Sequence, residues 1–310
     1  MKKSLIALAI LAASGAAMAQ SSVTLYGVAD LWVGKVKGQD AAMGDGGLST
    51  SRLGFKGSED LGGGLTANFT FEQKLQLTNG ATNANTFDRQ ANVGFSGGFG
   101  AVTLGRGWNP MDDVFGASNS GFDSALSANA IWLNSYNGAA DAQLKYASPE
   151  FAGFTAAVST QLKGNAAAGK LSAFNLAYAA GPVAVALGYE KDESNGNQKG
   201  TMLNGSYDLG VAKLLASYYT TKNTGGVAGA KVNSYQIGAD IPLGSALTLS
   251  VGYANSKPSG GQSDSGFGIA AGYSLSKRTT VYGGLRQESR KASNGQADGD
   301  FFAMGVRHTF

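Results

Sequence analysis

Apolar residues recur at every second position along nearly the whole chain beyond its leading segment. Leu247, Leu249, Val251 and Tyr253 alternate with Thr248, Ser250, Gly252 and Ala254; Val183, Val185, Leu187 and Tyr189 keep the same rhythm, as do Phe267, Ile269, Ala271, Tyr273 and Leu275. A period of two predicts β-strands with one oily face and one small or polar face. The connections between these strands are of two alternating kinds. Tight ones fall at residues 60–63, 97–100, 149–153, 180–182, 208–210, 242–244 and 275–277, and longer polar ones near 35–49, 78–86, 108–140, 164–170, 193–199, 223–232, 258–264 and 291–299. Seven turns and eight loops join sixteen strands.

The leading segment is of another kind. Lys2 and Lys3 precede an apolar run over residues 5–13, and Ala17-Met18-Ala19 follows as a small-x-small sequence. This pattern predicts a cleaved export signal at residues 1–19, with one barrel domain at 20–310. Its apolar run is shorter than the roughly 20 residues a helix needs to cross a bilayer. Of 310 residues, removing 19 leaves 291, or about 18 per strand with its connection. That leaves room for the 9–11 residues of a tilted spanning strand. A barrel of sixteen strands is too wide for side chains to fill and encloses water. A soluble β-sandwich or β-helix also alternates. The sustained short-long rhythm, the glycine and alanine on the polar side of many strands and the apolar last strand favour a closed transmembrane barrel, which pairs every backbone group internally as lipid demands.

Composition narrows the chemistry. With 47 glycines, 5 prolines and 43% hydrophobic residues the chain is turn-rich but not disordered. It has no cysteine, so neither disulfides nor a thiol nucleophile enter. Without the two lysines of the signal, 22 basic residues face 21 acids and the formal charge falls from +3 to +1, which gives no ground for a nucleic-acid partner. His308, the only histidine, has no second one to join in a metal site or triad, and it is read as an interfacial side chain. No nucleotide loop, metal-ligand cluster or internal repeat is present, so no cofactor is expected. Tyr146, Tyr178, Tyr189, Tyr218, Tyr253 and Tyr273 gather near strand ends, where aromatic girdles mark both membrane surfaces. β-propensity alone places them equally well.

Charges and one long connection carry the functional reading. Arg52 and Lys56 lie opposite Leu53 and Phe55, Lys145 opposite Leu144 and Tyr146, and Arg286 opposite Leu285. A charge toward lipid costs about 2–4 kcal/mol at mid-depth, so these residues are expected to face the lumen. Strict alternation instead puts Arg89 with Val93 and Phe95, and Arg106 with Val102 and Leu104. They lie either in the headgroup zone or beyond a bulge, for which Gly105 and Gly107 supply the means around Arg106. The segment 105–123, GRGWNPMDDVFGASNSGFD, combines Asp112, Asp113 and Asp123 with the apolar anchors Trp108, Met111, Val114 and Phe115. It reads either as a segment folded into the barrel to narrow the lumen or as an ordinary surface loop.

In order along the chain, VTLYGVAD at 23–30, SRLGFKGSEDLG at 51–62, RQANVGF at 89–95, GFG at 98–100 with LGR at 104–106, KYASP at 145–149 and the closing GVRHTF at 305–310 resemble the general-diffusion porins of Gram-negative outer membranes, of the β-proteobacterial type. The resemblance covers essentially the whole mature chain. It implies a homotrimer of sixteen-stranded antiparallel barrels with short periplasmic turns, long external loops and a third loop folded inward as an eyelet. On matching positions it nominates Asp112, Asp113 and Asp123 against Arg52, Arg89 and Lys145, with Arg106 beside the loop base, and gives Phe310 the part of an assembly signal. Residues 136–140, YNGAA, depart from the family, which often carries an arginine there, and this implies a wider or less anion-attracting constriction.

The expected function is passive diffusion of small hydrophilic solutes and ions through a charge-lined pore with weak anion preference. Its expected surroundings are outer-membrane lipid and lipopolysaccharide. A barrel hydrolase would need an activated nucleophile or an opposed acid-base pair, and Asp112 and Asp113 are merely neighbours. A sugar-specific channel would show an aromatic ladder, whereas Trp32, Trp108 and Trp132 are dispersed; an adhesin would need several long outer loops.

Overall fold

The computed structural model describes residues 22–83, 85–116, 124–133, 136–292 and 299–310. The expected export signal and Asp123 lie outside the described residues. Sixteen long strands form a single antiparallel sheet: β1 (Ser22–Val36), β2 (Arg52–Gly62), β3 (Leu65–Gln76), β4 (Gln90–Gly97), β5 (Gly100–Trp108), β6 (Ala139–Ala147), β7 (Phe154–Gln161), β8 (Leu171–Ala180), β9 (Val183–Asp192), β10 (Gln198–Asp208), β11 (Lys213–Lys222), β12 (Lys231–Leu243), β13 (Leu247–Pro258), β14 (Asp264–Ser274), β15 (Thr279–Arg290) and β16 (Phe301–Thr309). Each pairs with its sequence neighbour, and β16 returns to β1 in a register running from Val28↔Thr309 to Val36↔Phe301. The sheet is therefore a closed barrel without an edge. Seven short turns at one end alternate with eight longer connections at the other, as the hydrophobic rhythm predicts. The first turn runs through Gly62, Gly63 and Gly64, all at positive φ (82°, 62° and 79°), a conformation that only glycine adopts without strain.

The usual distribution of polarity is inverted. Leu187, Leu203, Tyr218, Ile237, Phe267, Phe302 and Met304 are exposed on the outer face, while Asn204, Ser217, Ser234, Gln236, Ser250 and Asp264 are buried on the inner one. In water this exposed apolar area would drive association; in lipid it is the solvated surface. Phe310 exchanges backbone hydrogen bonds with Gly27 (3.0 and 3.1 Å), and its ring lies against Gly27, where any side chain would collide.

Two short strands, Ala42–Asp45 and Ala81–Thr82, extend the wall at the loop end. The first pairs with the upper part of β1 while β2 pairs with its lower part, so the wall is interrupted at residues 46–51. That interval turns into the lumen. Asp30, fully buried on the inner face of β1, accepts the N–H groups of Gly47 (3.0 Å), Leu48 (2.8 Å) and Ser49 (2.8 Å), and the hydroxyl of Tyr282 (2.6 Å).

Candidate functional site: a loop seated across the lumen

The third long connection leaves β5 at Trp108 and enters the barrel. Asn109 sets its direction: its Oδ1 accepts the N–H groups of Met111 (2.8 Å) and Asp112 (3.1 Å), capping helix α1 (Pro110–Gly116). Asn109 N–H donates to the Gly138 carbonyl (2.8 Å) and its Nδ2 to the Asn137 carbonyl and to Glu190 of β9 (3.4 Å), so the two strands of the neck and the wall are tied at one residue. Asn137 in turn donates to Asp192.

α1 lies on the inner wall. Met111 and Val114 pack on Ala186, Met202 and Tyr219, and a side chain at Gly188 would meet the Met111 sulfur at 3.0 Å and Val114 Cγ2 at 3.1 Å. Asn175 donates to the Pro110 carbonyl (2.9 Å) and Asn204 to that of Val114. The returning leg seats on the other side of the lumen. Leu126 joins Leu48, Ala270, Tyr282, Phe301 and Ala303, while Ala128 and Ile131 pack on Ala254. There Gly268 and Gly266 face the leg's backbone, with the Leu126 and Ala128 carbonyls 2.4 and 2.5 Å from where a Cβ would stand. Arg286 donates to the Ala125 carbonyl, and Ala125 N–H to the Gly47 carbonyl (2.9 Å). Burying Met111, Val114, Leu126 and Ile131 stabilises this seat by on the order of 6–12 kcal/mol, an upper bound. The surface-loop reading of residues 105–123 therefore fails for the part that is described.

The polar side of α1 meets Lys145 of β6. Lys145 Nζ lies 3.0 Å from Asp113 Oδ2 and donates to the Trp108 carbonyl (3.1 Å). Asp112 accepts the Tyr136 hydroxyl at 2.9 Å. Burial raises the Asp112 carboxyl above the ordinary range, the Tyr136 bond opposes that, Asp113 adds to it, and Lys145 and Arg89 act to lower it. Arg89 sits over the Trp108 ring, 4.8 Å from its centroid, at the loop root. Its Nε is 2.6 Å from Glu72 Oε1, and Arg52 Nε is 3.4 Å from Glu72 Oε2, so one carboxylate bridges both guanidiniums. Tyr26 donates to the same carboxylate (3.0 Å). The Glu72 side chain is 5% exposed against 25% for Arg52 and 18% for Arg89: the anion is hidden and the cations face water. Arg286, Glu288 and Arg290 repeat this arrangement on β15 (2.5 and 2.7 Å).

Of the residues nominated from sequence, Arg52, Arg89, Lys145, Asp112 and Asp113 therefore share the inner surface around the loop. Arg89 escapes strict alternation because it lies in the bend before β4, where strand parity does not apply. Arg106 does not join them. Although the register shifts between Gly105 and Gly107, with Ala142 at φ 45° on the facing strand, Arg106 stays opposite Ala91 on the parity of Leu104 and binds Asp141 (2.5 Å) and the Asp88 carbonyl (2.5 Å). Sequence reading missed Glu72, Asp30 and Glu190. The only signal for Glu72 was its place on the polar parity of β3, with Thr70 and Lys74 and opposite in facing to Phe69 and Phe71.

A lipid-facing barrel with a polar, charge-lined and partly occluded interior is a membrane channel. Residues 4–293 match the family of Gram-negative porins. Outer membrane porin protein 32 of Delftia acidovorans is 38% identical over 92% of this chain and 89% of its own length. Among solved structures, the anion-selective porin from Comamonas acidovorans superposes with a TM-score of 0.82 at 28% identity, covering 94% of this chain and all of that one. The trimer form of OmpT from Vibrio cholerae shares the fold at a TM-score of 0.73 and 17% identity, over 94% and 99% of the two chains. This chain belongs to the Gram-negative porin family. It resides in the outer membrane and forms a water-filled channel for small hydrophilic solutes and ions.

Proposed function

We propose that solutes cross a constriction between Asp112, Asp113 and Asp123 on the third loop and Arg52, Arg89 and Lys145 on the facing wall, with Arg106 bracing the loop root. The observation that carries this is the 3.0 Å contact of Lys145 with Asp113, which joins the basic wall to a loop held inside the barrel by its own buried side chains. Cations on one side and carboxylates on the other set up a transverse field, which orients dipolar solutes and penalises apolar ones. Because Glu72 is withdrawn behind Arg52 and Arg89, a passing ion meets more positive than negative charge on the wall, and the exposed Asp113 offsets part of this. The result is a weak anion preference, in line with the structurally similar anion-selective porin from Comamonas acidovorans. Residues 1–19 direct export, Phe310 serves assembly, the working unit is a homotrimer, and the interior does no catalytic chemistry.

Refolded mature protein in a planar bilayer tests the proposal. Large ohmic steps arriving in threes, with a reversal potential of anionic sign in a salt gradient, are expected. Stable insertion without conductance would overturn it.

A further inference from the structure

We propose that the outer face of β9–β13 carries a docking row for a phosphate-bearing lipid of the outer leaflet, built from Lys199, Lys222, Lys231 and Lys257, with Lys191 at its edge. The inference rests on the chain being an outer-membrane barrel and is independent of the constriction. Cross-strand partners share a face, and the registers Lys191↔Lys199, Lys199↔Lys222 and Lys222↔Lys231 place four lysines side by side on four adjacent strands. Lys257, opposite Asn233, continues the arc on the fifth. Neighbouring strands are about 4.8 Å apart, so the four span about 14 Å.

Like charges directly opposite one another in a sheet are destabilising, and here three such pairs follow in succession. Little on the protein offsets them. Lys191 pairs with Glu193 (2.9 Å), whereas Lys199, Lys222, Lys231 and Lys257 make no ion pair among the described residues. These strands lie inside a closed sheet, so the lysines are not needed to protect an edge.

The height of the row selects a lipid as its partner. Toward the loop end, the outward positions read Leu203, Thr201, Lys199 on β10, Tyr218, Thr220, Lys222 on β11, Tyr235, Asn233, Lys231 on β12 and Tyr253, Asn255, Lys257 on β13. Each strand passes from an apolar or aromatic side chain through a small polar one to an ammonium. Two steps of about 6.6 Å along a tilted strand carry the chain from the acyl boundary into the headgroup layer. The middle row is satisfied internally, since Asn233 accepts both the Tyr218 hydroxyl (3.0 Å) and the Thr220 hydroxyl (2.9 Å), which leaves the lysines to an outside anion. The row is also local: beyond Asn255 the next two outward positions are Ser265 and Ser289.

The test uses the refolded barrel in a zwitterionic detergent, titrated with bis-phosphorylated lipid A, with its dephosphorylated form and with inorganic phosphate, and read by native mass spectrometry. Retention of the phosphorylated lipid alone is expected. Changing Lys199, Lys222, Lys231 and Lys257 together to glutamine should weaken it at least tenfold, and changing the same four to arginine should preserve it. Equal retention of the dephosphorylated lipid, saturation by inorganic phosphate at equal concentration, or undiminished binding by the glutamine variant would overturn the proposal. Should that variant not fold, the wild-type complex decides: binding must fall steeply from low to high salt, and salt-independent binding refutes the row. Channel conductance is recorded in parallel. Its absence would count against the pore reading and leave the lipid result standing.

Discussion

Replacing Lys145 by glutamate puts a carboxylate where an ammonium faces Asp113 and changes the local charge by two units without touching the residues that seat the loop. For an ion passing at about 5 Å, each unit in water contributes about 0.8 kcal/mol, so the change is worth about 1.7 kcal/mol. A Debye length of about 8 Å reduces this to about 0.9 kcal/mol. That is about 4- to 5-fold for a cation and the inverse for an anion, so the permeability ratio moves toward cations by about 20-fold at most. Lys145→Gln removes one unit and should move the ratio by about the square root of that shift. The reversal potential of single channels in a salt gradient reads the change directly. The barrel itself should assemble normally, because Met111 and Val114 hold α1 whether or not the ion pair exists. A reversal potential unchanged in both Lys145→Glu and Arg52→Glu would remove the pair from the permeation path and refute the reasoning.

The other perturbations probe how the lumen is built. Glu72→Gln leaves Arg52 and Arg89 without their shared counter-charge, so the reversal potential should move toward anions, opposite in sign to Lys145→Glu; a shift toward cations would show that the guanidiniums are not the charges solutes feel. Asp30→Ala removes the acceptor of three N–H groups and the Tyr282 hydroxyl, a destabilisation on the order of 3 kcal/mol or more, and hydrogen exchange should show Gly47, Leu48 and Ser49 losing protection while β1 keeps it. Gly268→Val must push the Leu126 backbone off the wall and toward the lumen axis, lowering conductance; Gly283→Val, on the outer face with nothing closer than 3.5 Å, should leave it unchanged. Since burial raises the Asp112 carboxyl, it takes up its proton above the ordinary carboxylate range as pH falls, removing one negative charge from the loop. The neutral form being the one the fold favours, protonation also adds stability. Anion preference should therefore grow through mildly acidic pH, and Asp112→Asn should abolish that growth; an identical pH profile in the variant would exclude the residue.

The barrel was legible because lipid enforces period two on every strand with few exceptions, and because the turn and loop ends differ so consistently in length that connections can be counted. The interior was less so, for a physical reason. A side chain facing a wide lumen is not forced to be apolar or polar by its parity, and what it touches depends on residues far along the chain. Asp30 looks in sequence like one more polar residue on an alternating strand, yet its partners stand seventeen to nineteen positions away on a loop and, in Tyr282, 252 positions away on β15. Gly188, Gly266 and Gly268 gave a weak signal as small residues on the polar face; only the seated loop explains why that face must be bare. Arg89 and Arg106 mark the other limit. Parity arguments lapse at a strand end, where Arg89 turns inward, but they held across an irregular register, where Arg106 stays outward.

The two Arg–Glu–Arg groups show how a pore so nearly neutral can still discriminate. Selectivity depends on the charge a solute approaches closely, because water and salt screen the rest within about 8 Å. Placing Glu72 and Glu288 deep, each between two guanidiniums, lowers the repulsion within each pair, so arginines on either side of β3, or four residues apart on β15, can be tolerated. The same placement keeps those carboxylates out of the water column. A group of net charge +1 thus turns its positive side toward a passing ion, with the carboxylate's charge attenuated by its greater depth. Asp113, by contrast, stands in the open on the loop, where its charge is felt. Burial depth, more than the count of acids and bases, therefore sets the sign of the field at the proposed constriction.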